Sequence, residues 1–457
     1  MARRRASHAN VIRPETVTGA ISNPGTCSAM EWCFCRMDAA LIDGGTIQYD
    51  PFYGQPQVAA FHPASNTFTN VQNMAHGRWY PTILTLGDGR VMAFSGLNET
   101  GGTNTAVEFY TVGSGWSEQY PASWTADLYP RLHLLPDGKV FYSGAQTTSK
   151  LFDPSTTTWN TSVATTNYSG RRNYGTSVLL PLTLASNYDA KVIIMGGHSP
   201  CTNTSEIIDL GAPAPAWVFG PNMSEARIEM NAVILPDGRE LAVGGSDPRL
   251  YHSVALLLPD ATVRLAGGNP SRGTYVQQME VYQPPYLFDS TGALATRLSI
   301  TGAPSSSSYG NTFTVQTPDA ASIAHVVLVR NGTVTHAFGM DQREVEMSST
   351  AGSGALTVTA PPNGNIAPPG YYMLFILNNS GVPSVATFVQ VISQPDFSVT
   401  ATPSSRTVAP GTGTSYNVSV TPSNGFNGNV TFSATGLPSG ATASFNPSSV
   451  TGPPPCR

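Results

Sequence analysis

Apolar residues along this chain come in short runs separated by tight polar turns, and no long segment carries apolar residues at helical spacing. The commonest unit is an apolar strand, an Asp-centred turn and a second apolar strand that often ends in Gly-Gly, as at Gly244-Gly245 and Gly267-Gly268. The turns are Ile42-Asp43-Gly44, Gly87-Asp88-Gly89-Arg90, Pro136-Asp137-Gly138-Lys139, Tyr188-Asp189-Ala190-Lys191, Pro236-Asp237-Gly238-Arg239 and Pro259-Asp260-Ala261-Thr262. Asp-Gly between two apolar runs is the strongest short-range hairpin signal.

The turn aspartates at 43, 88, 137, 189, 237 and 260 are 45, 49, 52, 48 and 23 residues apart. Hairpins repeating every 40–50 residues or so predict a kelch-type β-propeller, here over residues 25–285. The last interval is half a blade. Nothing between Gly245 and Tyr251 has room for two outer strands, and no full hairpin precedes Cys35. The expected propeller is therefore incomplete at its N-terminus and shortened within one blade. Tyr282-Gln283-Pro284-Pro285-Tyr286 reads as a linker. Beyond it, alternating strands such as Thr312 to Val315, Val326 to Val329 and Tyr371 to Leu377 predict an Ig-like β-sandwich over 286–394. Residues 395–457 are rich in Ser, Thr, Gly and Pro and read as a truncated second Ig-like module or a solvated tail. Residues 1–24 read as a disordered N-terminal segment.

The hairpin register brings candidate chemistry together. Eight residues before the turn aspartates stand Cys35, Tyr80, Tyr129, Glu229 and His252. Equivalent positions on the inner strands of a propeller ring one mouth of the central channel, so a thiol, two phenols, a carboxylate and an imidazole are expected to converge there. These side chains could equally plug the mouth by satisfying one another's hydrogen bonds. Tyr251 and His252 are adjacent, and neighbours in a regular strand face opposite ways. Both reach one centre only if they sit where the strand Val254 to Leu258 begins. Phenol and imidazole held at such a rim suit a transition metal, copper above others; the plain alternative is a packed tyrosine beside an exposed histidine. Arg131, Arg172 and Tyr174 are further candidates for the mouth.

Composition narrows the function classes. Charged residues make up only 11% of the chain and the net charge is −5, with no basic patch interleaved with aromatics, so nucleic acid is an unsuitable partner. No apolar run reaches the roughly 18 residues of a membrane span. Met1 to Asn10 is basic without an apolar core, so no signal peptide is visible. The five cysteines (Cys27, Cys33, Cys35, Cys201 and Cys456) lack zinc-site spacing, and their odd number leaves at least one without a disulfide partner in the chain.

Several segments resemble the galactose oxidase and glyoxal oxidase family of copper radical oxidases. Arg78-Trp79-Tyr80-Pro81-Thr82 followed by Asp88-Gly89-Arg90 is similar to the family segment with the equatorial tyrosine. Leu250-Tyr251-His252-Ser253 is similar to that with the axial tyrosine and a histidine ligand. Thr335-His336 followed by Asp341-Gln342-Arg343 is similar to the sandwich segment with the second histidine. Pro369 to Phe375 and Gly381-Val382-Pro383-Ser384 resemble that sandwich's last strands.

The resemblance implies one copper ion bound by Tyr80, Tyr251, His252 and His336. It also implies a Tyr–Cys thioether on Tyr80 that holds a protein radical, and Tyr251 as the base that takes the alcohol proton. Cys35, one blade before Tyr80, is the favoured thioether partner. Cys27, in Cys27-Ser28-Ala29, is the alternative, and Cys33 and Cys201 are bystanders. The family's stacking tryptophan would fall near Leu97-Asn98, where neither residue is aromatic, which turns the expectation from galactose towards glyoxal-oxidase-like specificity. Trp79 is either a shield for the radical or core filler.

The resulting expectation is a secreted, monomeric oxidase that turns a small alcohol or aldehyde and O2 into an oxidised product and H2O2. The shortened blade just before Tyr251 threatens the placement of that ligand segment. A propeller and sandwich that bind an extracellular glycan without catalysis are the rival expectation.

Overall fold

The computed structural model describes residues 52–451 except 63–65, 246–248, 272, 394–395, 424–425 and 427, together with the strands Arg13–Glu15, Glu31–Cys35 and Ala39–Asp43. Cys27 lies outside the described residues, as do the side chains of Cys33 and Cys35. Residues 1–391 form one compact unit and 392–457 another.

Among the described residues, six small antiparallel sheets make the blades of a β-propeller. Blade one runs from Glu31–Cys35 to Thr67–Asn70, blade two from Thr82–Thr85 to Tyr120–Pro121, blade three from Leu132–Leu134 to Thr158–Thr165 and blade four from Thr176–Leu179 to Trp217–Phe219. Blade five has only Met230–Ile234 and Glu240–Gly244. The half-length repeat is therefore a blade without outer strands. Blade six combines Ser253–Leu257, Val263–Gly267 and Met279–Tyr282 with Arg13–Glu15, which adds the outer strand from within the segment expected to be disordered.

The Asp-Gly turns follow from local chemistry. In residues 86–90 the Gly89 N–H donates to Leu86 O and the Leu86 N–H to Arg90 O, at 3.0 and 2.8 Å. Gly89 takes φ +87°, the left-handed position that a three-residue hairpin loop requires. The Asp88 carboxylate accepts the Arg90 N–H at 3.0 Å, and Asp137 and Asp260 do the same two residues on.

The C-terminal sandwich packs the five-stranded sheet Ser306–Ser308, Thr387–Ile392, Gly370–Asn378, Ile323–Arg330 and Arg343–Met347 on a three-stranded one. Val326, Leu328, Leu374 and Ile376 face that partner sheet, joined by Val315, Leu356 and Val358. Val327, Val329, Met373 and Phe375 point the other way and pack on Val233, Ala255 and Leu257 of the propeller. Burial on both faces is why Tyr372 to Leu377 reads as an unbroken apolar run. From this sheet a hairpin, Thr333–Thr335 and Phe338–Met340, runs among the inner strands of the blades.

Its return limb grips the blades residue by residue. Asp341 accepts from the Thr85 N–H and hydroxyl of blade two, at 3.1 and 2.5 Å. Gln342 bonds Ile234 N and Ala232 O of blade five, at 2.8 and 3.2 Å. Arg343 donates to Leu134 O of blade three, and Glu344 O accepts the Leu182 N–H of blade four at 3.0 Å.

Two carboxyls at blade five, the half-buried Glu240 and the buried Glu344, are held out of water at a cost. Burial, reinforced by Asp237, lifts Glu240 from near 4.5 to about 7 and pushes Glu344 well up. Between these values the folded protein holds protons that the unfolded chain has released, so stability falls as pH rises from about 4.5 to 7. Glu240→Gln is expected to raise the thermal midpoint at pH 8, by the equivalent of about 1–3 kcal/mol, and to leave it unchanged at pH 4.5. An equal midpoint at both pH values would contradict this account.

The second unit pairs Asp396–Thr402 with Asn417–Ser423, and Asn429–Thr431 with Ser449–Thr451.

Candidate metal centre

The residues facing the channel share an uncommon backbone. Tyr80, Tyr129, Tyr174, Glu229 and His252 have φ of +64°, +48°, +52°, +57° and +62°. This left-handed conformation stands just before each inner strand. It breaks the two-face alternation and turns the side chain inward. Such residues cost on the order of 1–3 kcal/mol each and persist where their surroundings hold them. Here the Tyr129 N–H donates to Tyr80 O at 3.0 Å, and the Glu229 N–H to Tyr174 O at 2.7 Å.

An arginine two residues upstream braces three of these positions, Tyr80, Tyr174 and Glu229. Arg78 donates to Ser95 O, Ala106 O and the buried Glu108 carboxylate at 2.9, 2.9 and 2.7 Å. Arg172 donates to Gly196 O and Glu206, both at 3.1 Å. Arg227 reaches Gly244 O ahead of Glu229. Ahead of Tyr251, Arg249 is held by Glu280 at 3.1 Å and Gln278 O at 2.8 Å, which fixes the Tyr251-His252 segment although blade five is short.

His336 arrives from the other domain. Thr335 pairs with Phe338, so His336 and Ala337, at φ +46° and +70°, are the two turn residues of a type I′ hairpin. The His336 ring lies 4.5 Å from Tyr129 and 4.4 Å from Tyr80, and its Nδ1 is 2.5 Å from the Thr335 hydroxyl. Its Nε2 is 2.9 Å from His252 Nε2, while the Tyr80 and Tyr251 hydroxyls are 3.2 Å apart. Burial lowers His252, and burial with His252's proximity lowers His336 to about 2, so both imidazoles are neutral and carry lone pairs. Burial raises the Tyr251 phenol, opposed by its bond to Tyr80.

Two ligands about 2.0 Å from one ion and at right angles lie about 2.8 Å apart, close to both spacings. Two imidazoles and two phenols form the nitrogen and oxygen set that tetragonal Cu(II) accepts. The donors thus fit copper. Among the described residues no group of three or more His, Cys, Asp or Glu is placed to hold a metal.

An aromatic column covers the centre. Phe52 stacks on Trp79 at 4.4 Å, Trp79 on Tyr80 at 3.6 Å and Tyr80 on Tyr129 at 4.5 Å. Trp79 is held in place by paired backbone hydrogen bonds with Leu97, both 2.8 Å.

Comparison with known proteins agrees with this layout. Residues 15–247 match the family model described as glyoxal oxidase N-terminus, and 297–391 the galactose oxidase-like early set domain. The chain belongs to the glyoxal oxidase family. It is 28% identical over 398 residues to a galactose oxidase of Gibberella zeae, covering 73% of this chain and 57% of that protein. It is 29% identical over 395 residues to the aldehyde oxidase GLOX of Vitis pseudoreticulata, covering 69% of this chain and 72% of that protein. A fungal alcohol oxidase of the AA5 family, solved with copper, superposes with a TM-score of 0.68 at 23% identity over 79% of this chain and 85% of its own.

In this glyoxal oxidase family member the fold brings Tyr80, Tyr251, His252 and His336 to one point. Cys35 ends the inner strand of blade one, paired with Ala39. Cys201 is exposed and free. Two residues expected at the mouth are elsewhere: Arg131 and Arg172 are 5% and 2% exposed and serve as internal braces, because their guanidinium groups satisfy buried carbonyls. Tyr174 does stand at the mouth, half exposed, its ring edge-on to Tyr251 at 6.3 Å. Counting back from Asp189 misses it, since residues 180–190 form a longer loop; the Arg-x-Tyr spacing finds it.

Proposed function

We propose that this chain is a copper radical oxidase that converts a small alcohol or hydrated aldehyde to the next oxidation level while O2 becomes H2O2. The convergence of two phenols and two neutral imidazoles from three distant segments carries this reading. Tyr80, Tyr251, His252 and His336 would hold the copper, which would supply one-electron redox chemistry and Lewis acidity.

The chain's own groups account for the rest. Tyr251 takes the substrate's hydroxyl proton at its phenol oxygen; its pKa is raised by burial, so it serves as a base only as a stabilised phenolate. Tyr80 carries the radical that takes the hydrogen from the substrate carbon. A thioether to Cys35, or to Cys27 as the alternative, would ease oxidation of that phenol. Trp79 and Tyr129 cover the two faces of the Tyr80 ring and keep water and reductants from it. The absence of an aromatic side chain at Leu97-Asn98 supports glyoxal-oxidase-like substrates over galactose. The resemblance further supports a secreted protein that works as a monomer on small molecules.

Purified full-length protein treated with copper and O2 is expected to bind one copper, lose two hydrogens in intact mass and release peroxide with small aldehydes. Peptide mapping would place the crosslink between Tyr80 and one cysteine. His336→Ala is expected to weaken copper binding more than about 100-fold, since even groups that only support a metal ligand are worth 10–100-fold. Protein that binds no copper and gains no crosslink would sink the reading.

A further inference from the structure

Among the carboxylates of the first unit that bond arginines are Glu108 with Arg78, Glu206 with Arg172, Glu280 with Arg249 and Asp341 with Arg330, at 2.7–3.2 Å. Glu229 differs. Among the described residues it has no ion-pair partner, although it stands half-buried on the ring of channel-facing residues. Arg227, two residues away, is turned inward to Gly244 O. The Glu229 carboxyl lies near enough to bear electrostatically on the Tyr251 phenol. Its own N–H is fixed to Tyr174 O at 2.7 Å, and the half-exposed Tyr174 ring flanks Tyr251. The centre thus has one aromatic side, Phe52 and Trp79 over Tyr80, and one hydrogen-bonding side, Tyr174 and Glu229 beside Tyr251.

A half-buried carboxylate without a counter-ion is retained against its desolvation cost. It accepts hydrogen bonds and donates none, and a like charge brought within a few ångströms is repelled. We propose that Glu229 sets the charge class of the substrate: it accepts a hydrogen bond from a second hydroxyl of a neutral diol or aldehyde hydrate, attracts a cationic amino alcohol, and turns away substrates that carry a carboxylate. This inference rests on the oxidase reading above.

Three probes of one size and different charge test it: 3-amino-1,2-propanediol, glycerol and glycerate. With copper-loaded full-length protein, kcat/KM from peroxide release is expected to be lowest for glycerate, by about tenfold or more relative to glycerol. Glu229→Gln should bring glycerate up to the level of glycerol and lower the aminodiol about tenfold. Glu229→Asp should keep the wild-type order. A structural role for Glu229 would lower all three probes together and leave their ratios untouched. An aminodiol-to-glycerate ratio that is the same in wild type and Glu229→Gln overturns the proposal.

Calorimetric binding of the aminodiol and glycerate to copper-free protein separates this failure from failure of the oxidase reading. If neither these probes nor small aldehydes yield peroxide, the oxidase reading falls. Glu229's role then stands if wild type prefers the aminodiol and Glu229→Gln does not, and falls if the two proteins bind the probes alike.

Discussion

Tyr80→Phe, loaded with copper, is expected to release at least about 1,000-fold less peroxide than wild type and to remain folded. The substitution keeps the ring and deletes one oxygen. The stack of Phe52, Trp79, Tyr80, Tyr129 and His336 depends on ring faces and survives. The lost hydrogen bond to Tyr251 at 3.2 Å costs stability about 0.5–1.5 kcal/mol. Function loses far more, because in the proposed reading that oxygen is at once a copper donor and the seat of the radical, and groups that act as a unit fail together. Tyr129→Phe is the matched control. It sits in the same column, is more deeply buried than Tyr80 and is expected to keep activity within about tenfold of wild type. Peroxide release from both variants at equal copper occupancy decides the matter. A Tyr80→Phe protein retaining a tenth of wild-type turnover would remove Tyr80 from the chemistry.

What could be read in advance followed the range of the interactions involved. The Asp-Gly turns are local: Asp88, Gly89 and Arg90 settle their own geometry, so the hairpins and their period were legible. The 23-residue interval likewise foretold a two-stranded blade five. Channel-facing positions were legible where the turn lay at constant distance from them, as for Tyr80, Tyr129, Glu229 and His252. Tyr174, a candidate on other grounds, fell outside that register because loop length varies freely on the far side of a strand. The arginine two residues upstream is a second mark, which finds Tyr174 along with Tyr80 and Glu229. The pairing of Arg13 with Val281 was out of reach, as nothing local couples residues so far apart in sequence. The His336-Ala337 turn carries none of the Asn or Gly that a type I′ hairpin favours, so only the resemblance pointed to His336. Its strained backbone is set by the propeller around it.

That dependence makes Arg343 the residue whose loss should weaken the first unit most. Asp341, Gln342, Arg343 and Glu344 reach blades two, five, three and four in turn, so four consecutive residues tie the sandwich to the propeller just after the histidine hairpin. Arg343 is 4% exposed and donates to Asn365 O and Ile366 O at 2.6 and 2.7 Å as well as to Leu134 O. Burial lowers its pKa to about 10, which still leaves it charged at neutral pH. Arg343→Ala leaves buried carbonyls without donors and opens a cavity between the two domains. The expected cost is about 3–5 kcal/mol, or roughly 5–15 °C in thermal midpoint. Copper affinity should fall with it although no donor is removed, because His336 is placed only as well as its hairpin is anchored. Arg343→Lys keeps the charge but one fewer carbonyl in reach, and should fall between. If Arg343→Ala instead melts within about 2 °C of wild type and binds copper as tightly, the hairpin is held by its apolar contacts with Tyr129 and Tyr80, and the four-residue tether contributes little.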